Sequence, residues 1–253
     1  MLDLFSGIGG FALAARMVGG IETRQFVEID PYCQRVLDKN FPGVPIHGDI
    51  RTLAAKPGSF DLITAGFPCQ PHSQAGNRQA SKDDRDLWPE LYRIICEVQP
   101  RWVVLENVRG LLSSDAGRFF RGVLWDLARA GFDAEWDTVS ACAVGAPHTR
   151  ARVFVVADSH RINGQRMAIQ PQQSEPLQGH NHQPSAGVWM GAHPSASRVV
   201  DGIPNRVDRL KALGNSVSPQ VAAVPLMRVK ALAGITEKIG SEASPLRATF
   251  SPR

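Results

Sequence analysis

One cysteine of four stands out by its setting. Cys69 follows Pro68 in the run Gly66-Phe67-Pro68-Cys69-Gln70-Pro71, between residues that interrupt regular structure. A thiol in such a loop can be a nucleophile if its thiolate is favoured. The competing reading is an inert core residue, since free cysteines commonly pack as small hydrophobes. Glu106 follows the apolar run Trp102–Leu105 and precedes Asn107. A carboxyl group at a strand end could stay protonated and donate a hydrogen bond; a helix cap or surface carboxylate is the plainer alternative. Gly7-Ile8-Gly9-Gly10-Phe11-Ala12 fits the fingerprint G-x-G-x-x-A. Its glycines allow a tight turn and close approach of a ligand to the backbone. Glu28, about 20 positions on, is placed to bind ribose hydroxyls. By itself the fingerprint would equally suit a nicotinamide cofactor or a plain turn.

The surrounding elements say where these groups must sit. Leu2–Phe5, Gln25–Ile29, Val44–His47, Phe60–Ala65, Trp102–Leu105 and Arg152–Ala157 read as strands. Helices are expected over Phe11–Val18, after Asp30-Pro31, over Leu87–Val98 and over Gly117–Ala130. Strands alternating with helices imply an α/β fold with a doubly wound, mainly parallel sheet. In such sheets ligands bind beyond the carboxyl ends of the strands. The polar groups at 3–10, Glu28, Asp49, 68–70 and 106–107 all fall at such ends, which suggests one long cleft. From 158 to about 201 Gln, His, Pro, Ser and Gly dominate and apolar periodicity is lost, as in a linker or small irregular region. A last helix starts at Ser218-Pro219, and Pro225 should kink it or end it early. Residues 234–253 show no pattern and are read as a tail.

Composition sets outer bounds. The chain has 253 residues, 43% hydrophobic and 21% charged, with a formal net charge of +4. That is ordinary for a globular enzyme and permits a polyanionic partner without requiring one. No cysteine pair forms a CxxC, so no disulfide framework or zinc site is expected. His180, His182 and His193 lie in the polar stretch and read as a solvated linker, so no metal is assigned. No leader pattern and no membrane-length apolar run is seen, which points to a cytoplasmic protein without a membrane partner.

The ordered series DLFSGIGG, VEID, GDI, GFPCQPHSQAG, ENVRG, RARVF and GNSVSPQ resembles the cytosine carbon-5 DNA methyltransferases of prokaryotes and phages. The likeness covers residues 2–157 and about 202–230. It implies a Rossmann-like S-adenosylmethionine-dependent methyltransferase fold. Residues 1–157 would form the catalytic and cofactor-binding domain. Residues 158–201 would be a short target-recognition region, and 202–233 would return to the catalytic domain. By resemblance, Phe5, Gly7 and Gly9 would cradle S-adenosylmethionine, and Glu28 would hold its ribose. Ile29, Asp49 and Ile50 would line the adenine, while Asn215 and Ser216 would close the methionine side. Cys69 would add to carbon 6 of a cytosine, Glu106 would bind ring nitrogen 3, and Arg152 and Arg150 would hold the base and nearby backbone. The segment 74–86 would close over a base flipped out of double-stranded DNA.

The chain departs from the family pattern in places. His148 replaces the usual Gln before the paired arginines, His72 stands where Phe is common, and the recognition region is short. RNA methylation by the same chemistry, a DNA-binding relative that no longer methylates, and a nicotinamide-dependent oxidoreductase are the alternatives. A monomer, functionally paired with a restriction endonuclease, completes what the resemblance implies.

Overall fold

The computed structural model describes residues 1–68, 86–159, 161–162, 165–166 and 206–234. Seven strands form one sheet: β1 (Leu2–Leu4), β2 (Gln25–Val27), β3 (Ile46–His47), β4 (Leu62–Ala65), β5 (Trp102–Val108), β6 (Asp133–Ser140) and β7 (Ala151–Asp158). Their order is β3-β2-β1-β4-β5-β7-β6. The first five run parallel, and β7 pairs antiparallel with both β5 and β6. The order reverses between β1 and β4, so the crevice where such sheets bind ligands opens between the loops after these two strands.

Alternation along the strands fills both faces. Leu2, Leu4, Ile63, Ala65, Val103 and Leu105 pack under α3 (Trp88–Val98) and α4 (Arg118–Ala130). The side chains between them, Leu62, Trp102 and Val104, join Phe154 and Val156 under α1 (Gly10–Val18) and α6 (Pro219–Leu232). In α3, Leu91, Ile94, Ile95 and Val98 recur at helical spacing and are fully buried. Helix α2 (Pro31–Asn40) starts as expected. The Asp30 carboxylate accepts the backbone N–H groups of Tyr32 and Cys33, and Pro31 occupies the first turn.

Some expectations need correction. Strand β5 does not stop at Leu105. Its pairing with β4 ends there, but β7 continues the ladder through Glu106, Asn107 and Val108, so Glu106 lies inside the strand. Phe5 and Glu28 fall just outside β1 and β2, and Phe5 takes a left-handed φ of 55°. Pro225 does not end α6, which runs on to Leu232 with Val221, Ala222, Pro225, Leu226 and Val229 buried. Burial of that face outweighs the one backbone bond that proline removes. Regular elements that were not expected include β6 and α5 (Arg206–Asn215). Two-residue strands β8 (Arg161–Ile162) and β9 (Gln165–Arg166) pair antiparallel.

The turn after β1 is set by contact. Gly9 has φ +88°, and a Cβ there would lie 2.6 Å from the Phe41 ring and 3.1 Å from Leu37. Gly43 also has positive φ (+82°) but faces open space. Gly9→Ala should therefore cost roughly 2–4 kcal/mol, from left-handed strain plus overpacking. Gly43→Ala should cost about 1 kcal/mol, from strain alone. Urea unfolding of both variants checks the difference; equal losses would show that the ring does not constrain the turn.

Candidate active site

The turn Phe5–Gly9 is built by hydrogen bonds to β2 and the segment after it. Ser6 N–H donates to the Val27 carbonyl (3.1 Å), and the Val27 N–H donates to Ser6 Oγ (3.2 Å). One oxygen of Glu28 accepts the Gly7 N–H at 2.7 Å, and the other accepts the Asp30 N–H at 2.8 Å. Glu28 is thus fixed against the glycine turn, with lone pairs remaining on both oxygens. Gly7 has φ +54° and open space where a Cβ would be. Beside Glu28, Ile29 is 62% exposed, an apolar surface that a flat ring would cover. These features fit a nucleoside held at the end of β1 and β2.

The turn at Asp49 and Ile50, expected to meet the cofactor, is braced from α3. Arg93 donates to the carbonyls of Ile50 (2.9 Å) and Leu53 (3.0 Å), and pairs with Glu90 and Glu97. The turn they close starts at Asp49, whose carboxylate accepts the Arg51 N–H and pairs with the Arg51 guanidinium. Those bonds to Arg51 hold its pKa below the usual carboxylate range, so it is an anionic acceptor. Ile50 turns its side chain into the core at 4% exposure, which leaves only its backbone to meet a ligand.

On the other side of the crevice stands Glu106. Its Oε1 pairs with Arg152 Nε at 2.9 Å, and the two side chains are 12% and 18% exposed. Burial raises its pKa, and the Arg152 charge, then that of Arg150, act the other way. A Cβ on Gly66 would lie 3.4 Å from Oε2 of Glu106. The carboxylate therefore touches the backbone leaving β4, three residues before Cys69. Asn107, a residue whose sequence position gave no role, is buried and donates to the Phe67 carbonyl at 3.0 Å. Its other amide atom accepts the Val108 N–H. Asn107 thus moors the same loop. Cys69, the segment 74–86 up to its last residue and the region 167–205 lie outside the described residues, which contain no candidate metal cluster.

Arg150 is not aimed as Arg152 is. Its Nη2 donates to the carbonyls of Gly214 (2.7 Å) and Ser216 (3.2 Å) at the end of α5. The Arg150 N–H donates to Nδ1 of His148 (3.4 Å), so the histidine that replaces glutamine shapes this loop. Asn215 is exposed, and Ser216 Oγ donates to the Val217 carbonyl. Lys211 of α5 pairs with Asp30 at 3.0 Å. A cavity of about 560 Å³ lies beside this junction, lined by Ile8, Leu13, Phe41 and Leu213 with Arg16 and His148. It borders Gly9 and Ser216, but none of Phe5, Glu28, Asp49 or Glu106 lines it.

The model of the C-5 cytosine-specific DNA methylase family matches residues 1–206. The chain belongs to this family. Curated members include the type II methyltransferase M.DsaV of Dactylococcopsis salina, 37% identical over 164 residues, covering 64% of this chain and 46% of the relative. M.NgoMIV of Neisseria gonorrhoeae is 30% identical over 203 residues, covering 76% and 63%. Among solved structures, a DNA modification methyltransferase encoded within an E. coli prophage superposes with a TM-score of 0.52. It shares 29% identity and covers 62% of this chain and 45% of its own. The S. pombe Dnmt2 methyltransferase gives 0.50 at 26% identity, covering 62% and 50%. The chain spans about half the length of most of these relatives. The sheet is accordingly the Rossmann-like methyltransferase sheet of a C-5 cytosine methylase. No helix among the described residues is long and apolar enough to cross a membrane.

One buried acid underlies this methylase sheet. Asp3 is fully buried on β1 opposite Thr64, whose hydroxyl donates to Oδ1 at 2.7 Å. Its Oδ2 has no partner among the described residues. Burial pushes its pKa up to about 8, against the Thr64 bond, and the Glu28 charge adds to the rise. The folded chain then holds a proton that the unfolded chain releases near pH 4. Stability should fall as pH rises from about 4 to about 8, with a slope from this group approaching 1.4 kcal/mol per pH unit. Asp3→Asn should flatten that slope in urea unfolding across the range; an unchanged slope would show that Asp3 is not the group responsible.

Proposed function

We propose that this chain transfers a methyl group from S-adenosylmethionine to carbon 5 of a cytosine flipped out of double-stranded DNA, with Cys69 as nucleophile. The observation that carries the proposal is the Glu106–Arg152 pair. It is largely buried and sits against Gly66, at the start of the loop that bears Cys69. Family membership supplies the reaction class. Action as a monomer, a cytoplasmic location and a functional link to a restriction endonuclease belong to the same reading.

The cofactor residues of the proposal are Phe5, Gly7, Gly9, Glu28, Ile29, Asp49, Ile50, Asn215 and Ser216. Glu28 would accept ribose hydroxyls, Asp49 and the Ile50 backbone would meet the adenine edge, Phe5 would pack near the adenine and Ile29 would line it. Gly9 contributes shape alone, because Phe41 fills the place of its side chain. Bound there, S-adenosylmethionine would supply an electrophilic methyl group on its sulfonium. Carbon 5 of cytosine is a poor nucleophile. Addition of the Cys69 thiolate to carbon 6 forms a C–S bond and pushes electron density toward carbon 5. Glu106, whose protonated form burial favours, would donate to ring nitrogen 3 and neutralise the charge that addition creates. Arg152 holds that carboxyl group in place. Once carbon 5 holds the methyl group, with the methyl–sulfur bond broken and its electron pair left on sulfur, loss of the carbon 5 proton to a base and departure of the thiolate restore the ring.

The test is tritiated methyl transfer from S-adenosylmethionine to mixed-sequence duplex DNA. Wild type should label the DNA, and Cys69→Ala should not. Glu106→Gln keeps a hydrogen-bond donor but cannot deliver a proton, so its kcat should fall about 100-fold or more while DNA affinity holds. Labelling of transfer RNA alone, or label transfer by Cys69→Ala, would overturn the proposal.

A further inference from the structure

We infer that Arg150 is a positioning residue that clamps the C-terminal segment 214–217 onto the glycine turn, and that it serves the cofactor side of the cleft rather than the base. The inference rests on the function proposed above. Its support is a chain of contacts. Arg150 Nη2 has two hydrogens, and they go to the carbonyls of Gly214 and Ser216. Gly214 is one of the last residues of α5, whose final carbonyls lack partners within the helix and carry its negative pole. A guanidinium is the natural cap for them.

The clamped segment then presses on the turn after β1. A Cβ on Gly10 would lie 2.5 Å from the Val217 carbonyl oxygen and 2.6 Å from its Cγ1. Only glycine lets the two backbones approach this closely. The Ser216 N–H donates back to Ala212, and Lys211 ties the same helix to Asp30, the cap of α2. Glycine turn, Glu28 segment and residues 214–217 are thereby joined in one unit. Arg150 is the member of that unit that comes from the catalytic side, two residues before Arg152. A guanidinium that is partly buried beside Arg152 is costly to hold, and two carbonyls 64 and 66 residues away offset that cost.

The experiment compares wild type, Arg150→Met and Gly10→Ala, in the full chain. Amide hydrogen exchange without ligands reads the clamp directly. Both variants should speed exchange over 206–218 and leave β5 protected. Calorimetry with S-adenosylmethionine should show Kd raised about tenfold or more in each, the scale of one lost charge-assisted bond. DNA affinity measured without cofactor should change less than about twofold. The double variant should lose less than the product of the single losses, because both act through the same segment. Unchanged exchange over 206–218 in Arg150→Met overturns the clamp. So does a loss of DNA affinity or kcat with cofactor affinity intact, which is the signature of a base contact. If wild type binds neither cofactor nor DNA, the proposed function fails, while exchange still decides the clamp.

Discussion

The structure depends on backbone meeting backbone at the turn after β1. Three segments distant in sequence converge there: the turn itself, the Glu28–Phe41 stretch, and residues 216–217. Gly9 lets the Phe41 ring come against the chain, and Gly10 does the same for Val217. Side chains at those places would push all three apart. Arg16 completes the packing, with its guanidinium 4.1 Å above the Phe41 ring centre. The fingerprint glycines are therefore divided in purpose. Gly7 faces open space, where a ligand can approach, while Gly9 and Gly10 hold the protein together.

This junction sits at the point where strand order reverses, and that is what makes one crevice of several loops. From the β1 side come Phe5, Gly7 and Glu28, and from the β4 and β5 side come Gly66 and Glu106. The two halves are braced differently. Glu28 is held by two backbone N–H groups, a rigid arrangement with little freedom to swing. Glu106 is held by one guanidinium and by contact with Gly66. Asp49 and Ile50 are held from below by Arg93, which reaches their turn from α3. Half-buried surface pairs such as Arg93 with Glu97 add little stability alone, so their value here is geometric.

Much of this was legible in the sequence, because buried parallel strands read as apolar runs and the polar groups interrupt them. Leu2–Leu4, Leu62–Ala65 and the helical spacing of α3 needed no structure. Elements without that signal were missed. Strand β6 is an edge strand whose residues, Asp133 to Ser140, are exposed or half-buried throughout, so no alternation marks it. Helix α5 leaves Val207, Leu210 and Leu213 exposed and buries Ala212, the reverse of an amphipathic pattern. Glu106 reads as a strand end because the apolar run stops at Leu105, and the antiparallel ladder that carries the strand on is a long-range fact. Arg150 and Arg152 look equivalent as a pair. Only the fold shows that one faces a carboxylate and the other two carbonyls. Cys69 remains a reading of motif and membership.

The pairing of Glu106 with Arg152 poses a question about charge that the chemistry needs answered. A carboxylate fully neutralised by arginine could not donate a proton, and a carboxyl group buried alone would be neutral but badly oriented. Here burial and the guanidinium oppose each other, and burial prevails in direction. The group is thus easier to protonate than an exposed glutamate, yet it stays tethered by Arg152. Arg152 orients the carboxyl group, and burial favours its protonated form. An acid suited to donating to a ring nitrogen and then recovering its proton needs both influences. Strand β5 supplies them together by carrying Glu106 one residue past the end of β4, where only β7 still pairs with it and Arg152 is the second residue of that strand.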